Sequence, residues 1–309
     1  MLIDGKIIAS QIKSELKEKI SSLKLKNIIP QLAVILVGND PGSEAYVRQK
    51  EKVGEEIGAM VSVYRFAISE SDKDTSGVAR RDSPDGGGIK KELIDLVNKL
   101  NADKSVHGII IQRPVPIDIS KEELDLLVIP KKDVDGFHPD SSFTPPIASA
   151  VSKILEWVYK SAEDTPGESL RATPGVEEFS KDFINWLRKQ KILVIGRGET
   201  AGKPIAETLQ KMKIKITIAH SKTNNLEKLC LSSNIIISCV GRANIVRHDM
   251  VLPTTLLIGV GLHQENGKLA TDYDQEDIAN KVAYFTPVPG GVGPVNVACL
   301  FENLIIASK

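Results

Sequence analysis

Short apolar runs alternate with longer amphipathic patterns along most of this chain, and that alternation limits its fold more than any other feature. In the first half, the apolar runs predict buried strands at 32–37, 61–66 and 106–111. The amphipathic patterns between and after them predict helices, including those at 90–101 and 121–129. Strands that alternate with helices form parallel sheets, because each helix carries the chain back across a face of the sheet. The first half therefore predicts a parallel α/β sheet.

A second α/β unit begins near residue 190. A strand pattern at 191–196 leads into a glycine-rich turn that opens a helix. Further strands are predicted at 214–220, 233–241, 256–261 and 282–285, and a last helix at 294–308. The 309 residues are enough for two domains. The whole chain is therefore predicted to be α/β.

Two polar stretches break the alternation. Residues 70–89 and 160–174 are rich in polar and loop-forming residues, and both are predicted to be exposed, mobile loops. Arg80 and Arg81 in the first stretch are compatible with a partner site, but a solvated insertion is the better interpretation. Because residues 72–88 have little apolar surface to bury, we expect them to be dispensable.

The charge balance excludes two classes of partner. Lys+Arg and Asp+Glu each number 40, so no net field attracts nucleic acid or an anionic membrane. No apolar run approaches a membrane span, and the N-terminal helix pattern carries acids, unlike a signal peptide. The three cysteines and five histidines lack the spacing of metal ligands. We therefore expect a cytoplasmic protein with reduced thiols and no metal.

The segment 43–58 carries the first chemical signal. It is predicted to be a helix with Ser43 as its N-cap and Gly58 as its C-terminal stop. Lys50 follows Tyr46 by four residues, so both lie on the inward face. A lysine there has two interpretations. It snorkels, with its stem buried and its ammonium in water, or it is a desolvated amine whose lowered pKa lets it exchange protons near neutral pH.

Other polar side chains are predicted at the same edge of the sheet. Gln112 ends the strand at 106–111, and Asp135 lies in the turn after the next helix. Ligands of open parallel sheets bind beyond the carboxyl ends of the strands. Gln112 is placed to bond Lys50, and Asp135 to accept hydrogen bonds from the amine and N–H donors of a ring. Singly, Gln112 as a strand cap, Asp135 as a turn former and Tyr46 as core are equally good interpretations. Jointly, these residues favour an active site.

A glycine-rich turn in the second unit predicts a nucleotide site. Gly196, Gly198 and Gly202 follow a strand and open a helix. Glycines let the backbone approach a pyrophosphate, which then lies on the N-terminus of the helix. The spacing differs from the usual dinucleotide fingerprint, so a plain tight turn between strand and helix is the alternative.

The end of the next strand indicates which dinucleotide is bound. NAD sites usually place Asp or Glu there to bind the ribose 2′-hydroxyl. This strand ends instead in His220, Ser221 and Lys222, and Arg197 lies in the glycine turn. Cations and hydroxyls suit a 2′-phosphate, which favours NADP over NAD. A solvated strand end is the alternative.

These motifs together resemble the bifunctional methylenetetrahydrofolate dehydrogenase/cyclohydrolase family. The segments that carry the resemblance are IDGKIIASQI (3–12), VGNDPGSEAYVRQK (37–50), VHGIIIQRPVP (106–116), KDVDGFHP (132–139), GRGETAGKP (196–204), AHSKT (219–223), IIISCVGRAN (235–244) and TPVPGGVGP (286–294). The resemblance implies oxidation of 5,10-methylenetetrahydrofolate to 5,10-methenyltetrahydrofolate with NADP. It also implies hydrolysis of the product to 10-formyltetrahydrofolate, in one-carbon metabolism and purine biosynthesis.

The same resemblance implies two domains around a cleft. These are an N-terminal α/β substrate domain, 1–147 plus 286–309, and a Rossmann-like NADP-binding domain, 148–285. The last helix is then expected to pack on residues 1–147. A homodimer formed through the NADP-binding domain is also implied.

By position, the resemblance implies a role for each candidate residue. Lys50 is the catalytic acid and base, and Gln112 tunes and orients it. Tyr46 stacks on the folate, and Asp135 anchors its pterin. The other implied substrate contacts are Ser43, Gly290, Gly291 and Val292, of which the last three lie between folate and nicotinamide. The implied cofactor contacts are Gly196, Arg197, Gly198, Gly202, His220, Ser221, Lys222, Val240 and Gly241.

The chain departs from the family pattern at several positions. The usual Ser after the Arg of the glycine turn is Gly198, and QLPLP is QRPVP, which places Arg113 near the pocket. The usual Asp in IDVG is Gly259, and the usual GDV is Thr271, Asp272 and Tyr273. Most changes lie on the cofactor side, so a chain that is mainly a cyclohydrolase is one alternative. A non-catalytic folate- or nucleotide-binding protein is another, although a pure binder needs no buried acid and base.

Overall fold

Helices and parallel strands alternate through the residues that the structure describes. The computed structural model describes residues 1–68, 84–162, 179–265 and 267–309. Its helices are α1 (Gly5–Lys24), α2 (Pro41–Ile57), α3 (Pro84–Ala102), α4 (Lys121–Leu127), α5 (Pro146–Ala162), α6 (Lys181–Arg188), α7 (Gly202–Lys211), α8 (Leu226–Leu231), α9 (Gln275–Ala279) and α10 (Val292–Ala307). Its strands are β1 (Gln31–Val37), β2 (Met60–Phe66), β3 (Gly108–Gln112), β4 (Ile192–Ile195), β5 (Ile216–Ala219), β6 (Ile235–Ser238), β7 (Leu256–Gly259), β8 (Leu262–Glu265), β9 (Lys268–Thr271) and β10 (Tyr284–Phe285). The predicted α/β class is confirmed.

The first sheet has three parallel strands in the order β2-β1-β3. β1 lies in the middle and is buried from Leu32 to Val37, as is typical of a central parallel strand. Leu93 and Val97 of α3 pack in the same core as alternate residues of β1. α2 follows β1 and α4 follows β3, so both helices begin on the side of the sheet where the strands end.

The second sheet has five parallel strands in the order β10-β7-β6-β4-β5. The chain leaves β4 to form β5 on one side, and then forms β6 on the other side of β4. The carboxyl end of β4 is therefore a topological switch point, where open parallel sheets bind ligands. Leu193, Ile236 and Leu257 from three neighbouring strands lie in one buried cluster. The predicted Rossmann-like sheet is confirmed.

A short antiparallel hairpin, β8 with β9, was not predicted from the sequence. Its strands have four residues each, and their side chains are mostly exposed or half-buried, so they lack a long apolar run. The sequence between them contains Asn266 and Gly267, and Asn-Gly is the strongest short-range signal for a hairpin. That dipeptide is the signal that the sequence analysis overlooked.

The start of α2 corrects one prediction. The helix begins at Pro41, and the Asp40 carboxylate caps it by accepting a hydrogen bond from the Ser43 amide at 2.7 Å. Ser43 therefore lies inside the first turn and is not the N-cap. Aspartate and serine are about equally good caps, so the position of Pro41 decides between them. Gly58 ends the helix in the left-handed region, as predicted.

Helices extend into the described parts of both predicted loops. α3 begins at Pro84, so the last residues of the stretch 70–89 are helical, and Ile89 is buried. A deletion of residues 72–88 would remove the first turn of α3, and the expectation that the stretch is dispensable stays a prediction. α5 extends to Ala162, inside the second predicted loop. The parts of the two predicted loops that lie outside the described residues are 70–83, with Arg80 and Arg81, and 163–174.

The chain forms two compact units. One contains Met1–Ile12 with Ile147–Cys299, and the other contains Lys13–Pro146 with Leu300–Lys309. In the first unit the N-terminal segment joins the edge of the five-stranded sheet, since the Ile3 amide donates to the Phe285 carbonyl at 2.8 Å. The predicted functional domains, with their boundaries at 147 and 286, stay a prediction.

The second unit includes the end of the last helix. The Asn303 side-chain amide donates to the carbonyl oxygens of Val134 and Thr144, each at 2.9 Å. A Cβ on Gly108 of β3 would lie 2.8 Å from a methyl of Leu304, so the helix packs directly on that strand. The end of the last helix therefore packs on the N-terminal half of the chain, as predicted, whereas the first part of the helix, up to Cys299, belongs to the other unit.

Across the described residues, none of the helices is long and apolar enough to cross a membrane.

Candidate active site

Lys50 is buried on the inward face of α2, with 8% of its surface exposed. Its Nζ donates a hydrogen bond to Gln112 Oε1 at 2.5 Å. Gln112 is the last residue of β3 and lies beside Leu36 of β1, so the strand that precedes α2 is its neighbour in the sheet. The Gln112 side-chain amide donates to the Arg113 carbonyl at 3.0 Å, which fixes the orientation of Gln112. The predicted contact between Lys50 and Gln112 is therefore present.

Burial and charge act against each other on Lys50 and Asp135. Burial lowers the pKa of the Lys50 ammonium, and the Asp135 carboxylate opposes that shift. Burial raises the pKa of Asp135, and the charges of Lys50 and Arg113 oppose it. A lysine whose pKa falls towards neutrality can take up and release protons, which a snorkelling lysine does not do.

Tyr46 and Ser43 lie on the same helix, one and two turns before Lys50. Tyr46 is half-buried, and burial raises the pKa of its phenol, so the hydroxyl stays protonated. Ser43 is buried, and its Oγ donates to the Arg113 carbonyl at 3.4 Å. The helix thus presents a serine, an aromatic ring and an amine along one face.

The turn that carries Asp135 is held by residues that the sequence analysis did not assign. Asp133 is buried and accepts a hydrogen bond from the His138 amide at 2.7 Å, and burial raises the pKa of its carboxyl to about 6. The Arg113 guanidinium lies 3.9 Å from the centre of the Phe137 ring. Arg113 also forms an ion pair with the buried Asp125 of α4. A pocket in this unit is lined in part by Arg113, Asp125, Asp133, Asp135 and Phe137.

The candidate cofactor residues follow three neighbouring strands of the second sheet. Ile195 at the end of β4 pairs with Ala219 of β5 and with Ser238 of β6. The loops after these strands therefore lie side by side at the switch point. They carry Gly196, Arg197, Gly198, His220, Ser221, Lys222, Val240 and Gly241, and Gly202 begins α7.

Two of the glycines are required by close backbone approach. Gly196 has a φ of +103°, and a Cβ on Gly202 would lie 2.2 Å from the Gly196 carbonyl oxygen. Side chains are excluded at both positions, so the backbone there stays open to a pyrophosphate at the N-terminus of α7. A Cβ on Gly198 would meet nothing within 4 Å, so the missing serine of the family pattern leaves open space.

The cationic and hydroxyl side chains at this edge are exposed and available to an anion. Arg197, Ser221 and Lys222 are all exposed. The turn after β5 is closed by its own side chains: the His220 amide donates to Thr223 Oγ1 at 2.9 Å, and the Lys222 amide to His220 Nδ1 at 3.2 Å. The segment 219–223 contains no carboxylate. This arrangement fits the 2′-phosphate of NADP.

Asp272 organises the third loop and was noted in the sequence only as part of an altered motif. Its fully buried carboxylate accepts hydrogen bonds from Ser238 Oγ at 2.6 Å and from the amides of Val240 at 2.8 Å, Gly241 at 2.6 Å and Arg242 at 2.8 Å. Val240 and Gly241 therefore point their amides at Asp272, and any cofactor contact they make uses other atoms.

The loop before α10 holds the remaining candidates. Gly290 has a φ of +108°, and a Cβ on Gly291 would lie 2.5 Å from the Pro287 carbonyl oxygen, so both positions favour glycine. Val292 is the first residue of α10 and is buried. These three residues belong to the unit that carries the cofactor candidates, whereas Lys50 and its neighbours belong to the other unit.

Among the described residues, His, Cys, Asp and Glu side chains form no group of three or more that is arranged to hold a metal ion.

The two sheets and their side chains define a class of protein: a two-unit α/β enzyme with a dinucleotide-binding sheet and a buried lysine on the other sheet. Two family models match the chain. One is the catalytic domain of tetrahydrofolate dehydrogenase/cyclohydrolase, over residues 3–135. The other is the NAD(P)-binding domain of the same family, over residues 172–309. The chain belongs to the tetrahydrofolate dehydrogenase/cyclohydrolase family.

Relatives and solved structures agree with the family models. Bifunctional protein FolD of an Exiguobacterium species is 35% identical over 310 residues, covering 100% of this chain and 99% of the relative. The FolD crystal structure from Campylobacter jejuni has a TM-score of 0.79 and 34% identity, covering 100% of this chain and 98% of that one. FolD of Trypanosoma brucei, complexed with NADP cofactor and inhibitor, has a TM-score of 0.78 and 26% identity, covering 100% and 97%.

Proposed function

We propose that Lys50 transfers protons in a bifunctional enzyme of one-carbon metabolism. The enzyme oxidises 5,10-methylenetetrahydrofolate to 5,10-methenyltetrahydrofolate with NADP, and hydrolyses the product to 10-formyltetrahydrofolate. The observation that carries the proposal is the buried Lys50 ammonium bonded to Gln112 Oε1 at 2.5 Å. A buried amine with a fixed amide partner has the desolvation and the orientation that a general acid and base requires.

In the hydrolytic step, water attacks the methenyl carbon. A new C–O bond forms, and one of the two C–N bonds of the imidazolinium ring then breaks. Lys50 in its neutral form takes a proton from the water and later returns a proton to the leaving ring nitrogen. Gln112 holds the amine in place, because its Oε1 accepts from Nζ while its own amide is bound to the Arg113 carbonyl.

Binding of the folate is assigned to the same unit. The Asp135 carboxylate accepts hydrogen bonds from the amine and N–H groups of the pterin, and the Lys50 and Arg113 charges favour its ionised form. The half-buried Tyr46 offers a ring face for stacking. Ser43 contributes a hydroxyl at the start of the same helix face.

NADP, when bound, supplies the nicotinamide that accepts the hydride. Arg197, Ser221 and Lys222 would hold its 2′-phosphate, and the Gly196–Gly202 turn its pyrophosphate. Gly290, Gly291 and Val292 are assigned to the space between folate and nicotinamide. We further propose that the enzyme is a cytoplasmic homodimer whose product serves purine biosynthesis, as the family resemblance implies. Light scattering of the purified chain would test the dimer.

Two assays test the function and separate it from the alternatives. The wild type should hydrolyse methenyltetrahydrofolate without cofactor, and should reduce NADP with methylenetetrahydrofolate.

Lys50→Met keeps the aliphatic stem and removes the proton, so it should lower cyclohydrolase activity by about 10²-fold or more. Asp135→Ala should instead weaken folate binding. Lys52→Met, at an exposed lysine of the same helix, is the matched control and should remain active.

Three results would contradict the proposal in different ways. A folded Lys50→Met variant with near-full cyclohydrolase activity would show that Lys50 only snorkels. A wild type that hydrolyses the methenyl compound but reduces no NADP would favour the mainly hydrolytic alternative. A wild type that binds folate with neither activity would favour the non-catalytic binder.

A further inference from the structure

Two departures from the family pattern meet in space in the cofactor unit. Gly259 ends β7 where the family pattern has aspartate, and Tyr273 follows β9 where it has valine. A Cβ on Gly259 would lie 2.4 Å from Thr271 Oγ1 and 2.9 Å from Tyr273 Oη. Thr271 Oγ1 and the phenol of Tyr273 therefore fill the space that any side chain at position 259 would need.

Tyr273 uses that space to reach the start of the loop before α10. Its hydroxyl donates to the Thr286 carbonyl at 2.6 Å and lies 3.2 Å from Thr286 Oγ1. The Gly259 amide donates to the same Thr286 Oγ1 at 2.8 Å. Burial raises the pKa of Tyr273, so the phenol keeps the proton that it donates. Tyr273 and Thr286 are both buried, so water does not replace these bonds.

A second side chain from the same segment holds the loop two residues later. The Gln275 amide nitrogen donates to the Val288 carbonyl at 2.8 Å, and its oxygen accepts from the Val288 amide at 2.8 Å. Residues 273–275 therefore bind the backbone at positions 286 and 288. The loop is therefore fixed at positions 286 and 288, just before Gly290 and Gly291.

We propose that Tyr273 is a positioning residue for hydride transfer, and that its phenol, in the space that Gly259 leaves open, anchors the 286–291 loop. This inference rests on the proposed function, which assigns Gly290 and Gly291 to the space between folate and nicotinamide. Hydride transfer requires the two rings at one separation, whereas hydrolysis by Lys50 uses groups of the other unit. Loosening the loop should therefore lower dehydrogenase activity more than cyclohydrolase activity.

The test begins with Tyr273→Phe, which keeps the ring and removes the hydroxyl. Loss of one buried hydrogen bond should lower the dehydrogenase kcat by about tenfold. Cyclohydrolase activity should stay within about twofold, and backbone amides in 286–291 should exchange hydrogen faster. Tyr284→Phe, at a half-buried tyrosine of β10, is the matched control and should change neither activity. A Tyr273→Phe variant with wild-type exchange and dehydrogenase activity, or with both activities lowered equally, would overturn the proposal.

A combined substitution tests directly whether the residues at positions 259, 271 and 273 compensate one another. Gly259→Asp alone should lower the Tm strongly, since its side chain meets Thr271 and Tyr273. Gly259→Asp combined with Thr271→Gly and Tyr273→Val restores the family residues at all three positions and removes both contacts, so it should recover the Tm and the dehydrogenase activity. A triple variant no better than Gly259→Asp alone would refute the compensation. The hydrogen exchange of the backbone amides in 286–291 and the Tm are both measured without substrate. They therefore test the role of Tyr273 even if the activity assays refute the proposed function.

Discussion

Replacing Asp272 should loosen the loop after β6 in the cofactor unit without changing the proton transfer by Lys50. The carboxylate accepts four hydrogen bonds, from Ser238 Oγ and from the consecutive amides of Val240, Gly241 and Arg242. Asp272→Ala removes every acceptor, and Asp272→Asn replaces one oxygen by an NH₂ group that faces N–H donors. The two variants thus remove different numbers of bonds at one site.

The expected magnitude follows from which donors water can reach. Ser238 is fully buried, so its hydroxyl bears the full penalty of an unsatisfied group, about 1–3 kcal/mol. The three amides belong to exposed or half-buried residues, so water satisfies them in part and each costs about 0.5–1 kcal/mol. Asp272→Ala should therefore lower the free energy of unfolding by about 3–5 kcal/mol, and Asp272→Asn by about 2 kcal/mol.

Urea denaturation and the two activity assays measure these effects. Asp272→Asn should raise the KM for NADP by about tenfold, because the loop carries Val240 and Gly241. Cyclohydrolase activity, which needs no NADP, should be unchanged. Asp249→Ala, at an exposed aspartate of the same unit, is the control and should unfold at the wild-type midpoint. A wild-type midpoint and KM for Asp272→Asn would show that the loop holds its shape without this carboxylate.

Two further substitutions follow from the site. Gly198→Ser fills open space and adds a hydroxyl donor, so kcat/KM for NADP should rise about threefold to tenfold relative to kcat/KM for NAD. Gly202→Ser is the contrasting variant, and it should destabilise the fold because its side chain meets the Gly196 backbone. An unchanged ratio of the two kcat/KM values in Gly198→Ser would contradict this prediction. The native pKa of Asp133, about 6, lies above the ordinary value, so the native state binds the extra proton and stability falls as pH rises from about 4 to 6. Asp133→Asn should therefore be more stable than the wild type at pH 7.5, by about 2 kcal/mol, and equally stable at pH 4; a difference that does not change with pH would contradict the shift.

Local patterns in the sequence determined the class of the fold. The apolar runs at 32–37 and 191–196 became central strands, because a parallel strand buried on both faces must be apolar throughout. Lys50 was recognisable for the converse reason, since a charged residue on an inward face breaks the helical period. The order of strands and helices then predicted that Gln112 would lie beside it.

The tertiary structure alone decided which side chains support those residues. Asp125 has no signal in the sequence, and Asp272 and Tyr273 stand out only as part of an altered motif, because an acid or a tyrosine outside an amphipathic pattern does not reveal its partners. Each acquires its effect from partners on another element or loop, as Asp272 does from the amides after β6. Periodicity reports burial along one element, whereas a hydrogen bond between elements depends on their packing. The lysine was therefore predictable from the sequence, and the groups that hold the loops of the cofactor unit were not.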